Sequence, residues 1–206
     1  IELISNLNNL AQTKTVFFAG SKSNIKDWNT KEVESFVTDL SERLLDAGFK
    51  LASYPEVENI GEVVAKCAIN RAADKYEIAG LYKFDDDIDN LTRKREYSWI
   101  TGDNIDNWNK MLSDFREVYL KNKNCMIIIG GGRYTLAEYN DAININNLAI
   151  FPIPCFGGVG KTIYEQLKKK AALKKLEHPC FFCCTGKRNE NGRCPHIDAF
   201  VERFKK

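Results

Sequence analysis

Apolar residues along the chain alternate between short continuous runs and a helical repeat. Residues 15–19 read TVFFA, an apolar run rich in strand-forming residues. Over residues 30–47 apolar side chains then recur every three or four positions, as they do on one face of a helix. Gly48 stands where a helix C-cap is expected. The pattern predicts a strand followed by an amphipathic helix.

The same alternation continues to about residue 176. Further strands are predicted over residues 49–54, 78–84, 126–129 and 148–152, and further helices over residues 60–71, 108–120, 136–146 and 161–176. Residues 85–107 are polar and aperiodic, which predicts a loop or insertion. Alternating strands and helices are typical of a parallel sheet covered on both faces. We therefore expect a three-layer, Rossmann-like α/β fold with a mainly parallel sheet over residues 13–172, and a small cysteine-rich appendage over residues 173–206.

Three glycine-bearing turns follow predicted strands: GSKS at 20–23, GGGRYT at 130–135 and CFGGVGK at 155–161. Each leads toward a helix, whose first turn offers unpaired N–H groups and a partial positive charge to an anion. In parallel sheets, ligands bind beyond the carboxyl ends of the strands. A single turn of this kind can use glycine for geometry alone, but three at one sheet edge predict a ligand that carries phosphate.

The second turn supplies the most specific candidates. Gly131, Gly132 and the hydroxyl of Thr135 are expected to hold a phosphate, and Arg133 is placed to pair with its charge. Glu138 lies one turn into the following helix, where it can bind ribose hydroxyls or act as a general base. The alternatives are a tight turn packed under a helix, and an ordinary carboxylate near a helix N-terminus. Lysines beside the other turns are either secondary phosphate contacts or plain surface residues, namely Lys22 and Lys161.

Composition and charge limit the kinds of binding partner that are expected for this chain. The chain has 206 residues, and 30 Lys and Arg residues nearly balance 28 Asp and Glu residues, for a formal net charge of +2. This balance favours neither nucleic acid nor an anionic membrane. No apolar run approaches the roughly 20 residues that span a bilayer. No signal peptide is visible and the chain begins with Ile1, so we expect a domain of a longer polypeptide.

Seven cysteines are distributed unevenly. Cys67, Cys125 and Cys155 lie singly in apolar surroundings, and the other four fall in the last 27 residues. An odd count with isolated cysteines argues against a disulfide framework and favours a reducing, cytoplasmic location.

The C-terminal cysteines have the spacing of a metal site. Cys180 and Cys183 form a C-x2-C pair, and Cys194 and His196 follow after a polar, glycine-punctuated segment. Three thiolates and an imidazole are sufficient for tetrahedral zinc. Alternative ligands are His178 and Cys184, and the alternative interpretation is a cysteine-rich tail without metal.

The run GGGRYTLAE at 130–138 resembles the PGGxGTxxE motif of the SLOG superfamily, which includes the LOG phosphoribohydrolases, the DprA/Smf proteins and nucleotide-sensing domains. Arg116, fourteen residues before Gly130, corresponds to the arginine that precedes the family motif. TVFFAGS resembles the opening strand of the family, and AIFPIPCFGGVGK its closing strand and second glycine turn. The resemblance spans roughly residues 15–170 and implies ligand contacts at Gly20, Ser21, Lys22, Arg116, Gly130, Gly131, Gly132, Arg133, Tyr134, Thr135, Glu138, Gly157 and Gly158.

The sequence departs from the LOG pattern at two places. The glycine-rich turn that follows the second strand of the family is YPEVENIGEVV here and keeps only Gly61. Tyr134 replaces a family glycine and is expected to narrow the space for a ribose phosphate. These changes disfavour turnover more than they disfavour binding.

The resemblance therefore implies a sensor domain of a larger antiphage effector, which binds a nucleotide second messenger, ADP-ribose-like or cyclic ADP-ribose-like, rather than a redox cofactor. An effector domain fused on the N-terminal side and a homo-oligomer are expected with it. The alternative is a LOG-like phosphoribohydrolase of nucleoside 5′-monophosphates, with Arg116 and Glu138 as the catalytic pair. A third interpretation, binding of single-stranded DNA in the manner of DprA, is disfavoured by the near-neutral charge and the lack of a basic aromatic stripe.

Overall fold

The computed structural model describes residues 14–22, 25, 30–54, 59–83, 97–101, 116–117, 119–145 and 148–169. The predicted appendage over residues 173–206, with its four candidate zinc ligands, lies outside the described residues, as does Ser23 of the first glycine turn.

Within the described residues, six strands form one sheet. They are β1 (Thr15–Ser21), β2 (Lys50–Ser53), β3 (Tyr76–Lys83), β4 (Tyr97–Thr101), β5 (Cys125–Gly130) and β6 (Ala149–Ile153). The strand order is β4-β3-β2-β1-β5-β6, and every pairing between these strands is parallel. The chain moves outward from β1 through β2, β3 and β4, and then returns to place β5 on the opposite side of β1. The predicted α/β fold with a parallel sheet is confirmed.

In the part of the chain that the structure describes, the helices that flank the sheet are α1 (Thr30–Asp46), α2 (Ile60–Ala72), α3 (Arg133–Ala142) and α4 (Gly158–Lys169). Residues 116, 117 and 119–121, ahead of β5, are also helical. The bounds of α1 and α2 agree with the sequence pattern to within a residue. The starts of α3 and α4 were predicted three residues too late, because their first turns carry few apolar side chains. Both helices in fact begin directly at the glycine turns.

The prediction of a loop over residues 85–107 is wrong for residues 97–101. This YSWIT segment forms β4 and pairs with β3 in the register Ala79↔Tyr97 to Lys83↔Thr101. Tyr, Trp, Ile and Thr are residues that favour strands. The run is too short, and its neighbours too polar, for an alternating pattern to stand out in the sequence.

The central strands are buried on both faces. Along β1, Val16 and Phe18 pack on the side of α1 and α2, whereas Phe17 and Ala19 pack on the side of α3 and α4. All residues of β5 are buried. This burial explains why these strands read as continuous apolar runs rather than alternating ones.

A buried ion pair crosses the sheet at the end opposite the glycine turns. The Lys123 ammonium, ahead of β5, pairs with the Glu77 carboxylate at the start of β3. It also lies 4.2 Å from the centroid of the Tyr119 ring. The pair and the ring contact join the two halves of the sheet at its amino end.

Among the described residues, three cysteines take part in no disulfide: Cys67, Cys125 and Cys155. Burial raises the pKa of Cys67 from 9.0 to about 11, and it raises the pKa of the fully buried Cys125 well above its ordinary value. Cys67 and Cys125 are therefore protonated at neutral pH and unreactive as nucleophiles. None of the described helices combines the length and the apolar character needed to cross a bilayer.

Candidate functional site

The reversal of strand order places the carboxyl ends of β1 and β5 side by side. Ser21 stands opposite Gly130 in the strand register. The N–H of Gly131 donates to the carbonyl of Ser21 at 3.3 Å, and the N–H of Val159 donates to the carbonyl of Gly131 at 3.1 Å. The structure thus brings the three glycine turns into direct backbone contact. This is the position at which open α/β sheets bind their ligands.

Two of the glycines are required by this backbone contact itself. Gly20 has φ +140°, and a Cβ there would lie 1.9 Å from the carbonyl oxygen of Ile129. Gly158 has φ +58°, and a Cβ there would lie 2.7 Å from the carbonyl carbon of Gly130. At both positions the close neighbour is the protein backbone, so packing alone explains the glycine.

Gly131 makes room for a side chain of the next helix. It has φ +86°, and an added Cβ would lie 2.5 Å from Oγ1 of Thr135. Thr135 is buried in the first turn of α3. A bulky residue at position 131 would therefore strain the turn whether or not a ligand is bound there.

The N-terminus of α3 is open. Its N-cap is Gly132, which has no side chain to cap the helix, and its first turn contains no acidic residue. Within the described part of the chain, no acceptor contacts the backbone N–H groups of Arg133, Tyr134 and Thr135. These donors and the helix dipole are suited to an anion.

Arg133 and Tyr134 lie side by side on this opening. Nη2 of Arg133 donates to the Tyr134 hydroxyl at 2.9 Å, and the guanidinium carbon is 4.8 Å from the centroid of the ring. Tyr134 was expected to narrow the space for a ribose phosphate. The residue is 56% exposed, so it borders the turn from the solvent side.

Lys22 is held by carboxylates of the neighbouring helices. Its ammonium lies 2.9 Å from Glu34 of α1 and 3.7 Å from Glu62 of α2. Its charge is therefore already balanced on the α1 and α2 side of the sheet. By contrast, Lys161 is exposed in the first turn of α4, and its backbone N–H donates to the carbonyl of Gly157.

The start of α2 differs from the start of α3. Residue 59 forms an isolated bridge with Ser21, so this turn also reaches the site edge. A Cβ at Gly61 would lie 1.8 Å from the carbonyl oxygen of Tyr54, which explains why this glycine is kept. Glu62 occupies the first turn of α2 and pairs with Lys66 at 2.6 Å. A carboxylate at this position disfavours an anionic ligand.

Arg116 and Glu138 are both buried, with 6% and 7% of their surface exposed. Nη1 of Arg116 lies 3.3 Å from Oδ2 of Asp141, and its Nε has no hydrogen-bond partner among the described residues. Asp141 and Glu138 are three residues apart on α3 and so lie on one side of the helix. The structure thus brings both predicted residues to α3. Asp141 was not predicted from the sequence. Its spacing of three residues from Glu138 nevertheless indicates that both side chains lie on one side of the helix.

Among the described residues, no group of three or more His, Cys, Asp or Glu side chains is arranged to hold a metal ion.

Residues 1–87 match the sequence profile of STALD, the Sir2- and TIR-associating SLOG family. The matched segment includes β1, α1, β2, α2 and β3, and ends before the motif at 130–138. The match and the motif are therefore separate observations, and they agree: the predicted SLOG resemblance is confirmed. No curated protein is significantly similar to the chain.

Solved structures share the fold. The X-ray structure of a Northeast Structural Genomics Consortium target is similar with a TM-score of 0.52 and 16% identity, over 74% of this chain and 81% of that one. The molybdenum cofactor carrier protein of Chlamydomonas reinhardtii has a TM-score of 0.49 and 15% identity, over 79% of this chain and 88% of its own. At such low identity, the first similarity supports the fold and nothing further.

Proposed function

We propose that the chain is the sensor domain of a larger effector, on the premise that residues 1–87 match the Sir2- and TIR-associating SLOG family. Its ligand in this proposal is a nucleotide-derived second messenger, ADP-ribose-like or cyclic ADP-ribose-like. The family description links such SLOG domains to Sir2 and TIR domains. An effector fused on the N-terminal side and assembly into a homo-oligomer are part of the proposal.

The observation that carries the proposal is the open start of α3. Its first N–H groups, which contact no acceptor among the described residues, lie where three glycine turns meet, beside the reversal of strand order. A phosphate bound by backbone donors at a helix start needs no basic side chain of its own. Arg133, exposed beside these donors, can balance the remaining charge of a diphosphate.

Polar groups further along α3 suit the sugar. Thr135 is buried in the first turn of this helix and Glu138 in its second turn. A buried carboxylate can accept hydrogen bonds from two adjacent ribose hydroxyls. Phosphate recognition at the start of α3 and ribose recognition further along it would together select a nucleotide over inorganic phosphate.

We predict that Arg133→Ala weakens nucleotide binding by about 10- to 150-fold, because loss of a charge-assisted hydrogen bond costs about 1.5–3 kcal/mol. Isothermal titration with ADP-ribose, its cyclic isomers and AMP measures the effect. The matched control is Arg71→Ala, which removes an exposed arginine in the last turn of α2 that pairs with the surface carboxylates Glu42 and Asp46 of α1. Such surface pairs contribute little to stability.

The proposed function fails if the wild-type chain binds none of these nucleotides. The role of Arg133 fails if Arg133→Ala binds as tightly as Arg71→Ala does.

An enzymatic alternative is favoured by the burial of Arg116 and Glu138 beside α3. In that alternative the chain cleaves the N-glycosidic bond of a nucleoside 5′-monophosphate, with Glu138 as general base and Arg116 binding the phosphate. Incubation of AMP with the purified chain, followed by chromatography for free adenine, distinguishes the two functions. Release of adenine by the wild type but not by Glu138→Gln would favour the enzyme.

Zinc binding by Cys180, Cys183, Cys194 and His196 is a separate proposal, which rests on ligand type and spacing in the sequence. We predict about one equivalent of zinc in the full chain purified without added metal. Elemental analysis measures it, with Cys194→Ser as the variant and Cys67→Ser as the control. A zinc content well below one equivalent in the wild type would exclude the site.

A further inference from the structure

Tyr134 is an aromatic side chain placed outside the core at the start of α3. Three large hydrophobic side chains are exposed in the described part of the chain, and all three lie on α3 or directly after it: Tyr134, Leu136 and Ile143. Of the three, Tyr134 is the most exposed and the nearest to the unpartnered N–H groups. The core does not explain its position, since the ring contributes little to the burial of the sheet.

The guanidinium of Arg133 fixes the orientation of this ring. It donates to the Tyr134 hydroxyl at 2.9 Å and lies 4.8 Å from the ring centroid. A cation over the ring occupies one of its faces. With 56% of the residue exposed, the remaining surface of the ring is available to a ligand. Tyrosine has only two rotatable side-chain torsions, so a ring held in this way loses little conformational freedom on binding.

The ring lies at the place where the base of a bound nucleotide is expected. Phosphate is expected at the N–H groups of Arg133, Tyr134 and Thr135, and a nucleobase extends from that phosphate through the ribose. Bases stack on aromatic side chains without sequence preference, because every base has a flat π face. A sugar phosphate without a base has no such group to place against the ring.

We propose that Tyr134 is the residue on which the base of the ligand stacks, so that the site selects base-bearing phosphate esters over base-free ones. This proposal rests on the proposed function, because it takes the start of α3 as the phosphate site. Arg133 then has two tasks: it pairs with the phosphate charge and it positions the ring. Tyr134 accordingly determines specificity at a position where the LOG motif has glycine.

The test compares the full 206-residue chain with Tyr134→Leu, which keeps an apolar side chain but removes the ring, and with Tyr134→Phe, which keeps the ring. The probes are AMP and ribose 5-phosphate, which differ at C1′, where AMP carries adenine and ribose 5-phosphate a hydroxyl group. Stacking of a base on an aromatic ring corresponds to about 5- to 150-fold in affinity. We expect wild type and Tyr134→Phe to prefer AMP by such a factor, and Tyr134→Leu to lose that preference while binding ribose 5-phosphate as wild type does.

Other results would overturn the proposal in distinguishable ways. If the wild type binds both probes equally, or if Tyr134→Leu keeps the preference for AMP, the stacking role is wrong and the phosphate site stands. If the wild type binds no phosphate ester, the proposed function fails and the stacking role fails with it. If Tyr134→Leu leaves AMP binding intact and lowers the mass measured by light scattering, Tyr134 is instead a contact between copies of the chain.

Discussion

Replacing Gly20 by alanine is expected to lower the free energy of unfolding by about 4 kcal/mol or more, the range of severe core defects. The added Cβ would lie 1.9 Å from the carbonyl oxygen of Ile129, which is part of a central strand. Neither β1 nor β5 can move away without breaking the register that joins them. Urea unfolding followed by circular dichroism measures the loss.

The matched control is Gly48→Ala. Gly48 also has a positive φ, of +90°, but nothing lies within 4 Å of an added Cβ. Its substitution should therefore cost only the left-handed backbone strain, about 1–2 kcal/mol. Equal losses at the two positions would show that backbone strain, and not the contact with Ile129, makes Gly20 necessary.

Contacts within the chain explain much of the glycine content of these turns. Three consecutive glycines suggest close approach to a ligand, yet at two of them, Gly130 and Gly131, the space for a side chain is already taken by other parts of the chain. The carbonyl of Ser21 and the side chain of Thr135 contact the places where side chains at Gly130 and Gly131 would lie. The turns form a rigid platform, and the groups left for a ligand are the N–H groups of α3 that this platform positions.

The fold was largely predictable because its central strands are buried on both faces. Strands buried on both faces read as continuous apolar runs in the sequence, and amphipathic helices lie between them. Few fold topologies are compatible with this alternation of strands and helices. The strand β4 was not predictable from the pattern, because a five-residue run inside a long polar segment does not display a period. The starts of α3 and α4 were predicted too far along the chain. The glycine and polar residues of their first turns do not show the periodic apolar positions by which a helix is recognised in a sequence.

The candidate site was predictable in its position but not in its pairings. Strand order determines which turns meet, so the glycine turns could be assigned to one edge from the sequence. Ion pairs between distant segments could not be assigned. Lys22 was predicted to be either a secondary phosphate contact or a surface residue, and it is held by Glu34 and Glu62. The pairing of Arg116 with Asp141 depends on how two helices pack.

Replacing Arg116 by methionine is expected to destabilise the fold by about 3 kcal/mol, because it leaves a partly buried carboxylate without its arginine. That carboxylate belongs to Asp141, whose side chain is 22% exposed, compared with 7% for Arg116. Replacing both residues, in Arg116→Met/Asp141→Leu, should recover most of the lost stability, since an apolar pair can fill the same space without buried charge. Urea unfolding of the two single variants and the double variant measures the coupling.

Nucleotide binding by the double variant then separates a structural role of Arg116 from a role in binding. Nε of Arg116 has no hydrogen-bond partner among the described residues, which leaves a buried donor that a ligand can satisfy. If Arg116 contacts the ligand, the double variant regains stability but binds ADP-ribose about 10- to 150-fold more weakly than wild type, the loss of one charge-assisted hydrogen bond. Recovery of stability and of binding together would show that Arg116 serves only to hold α3 in place.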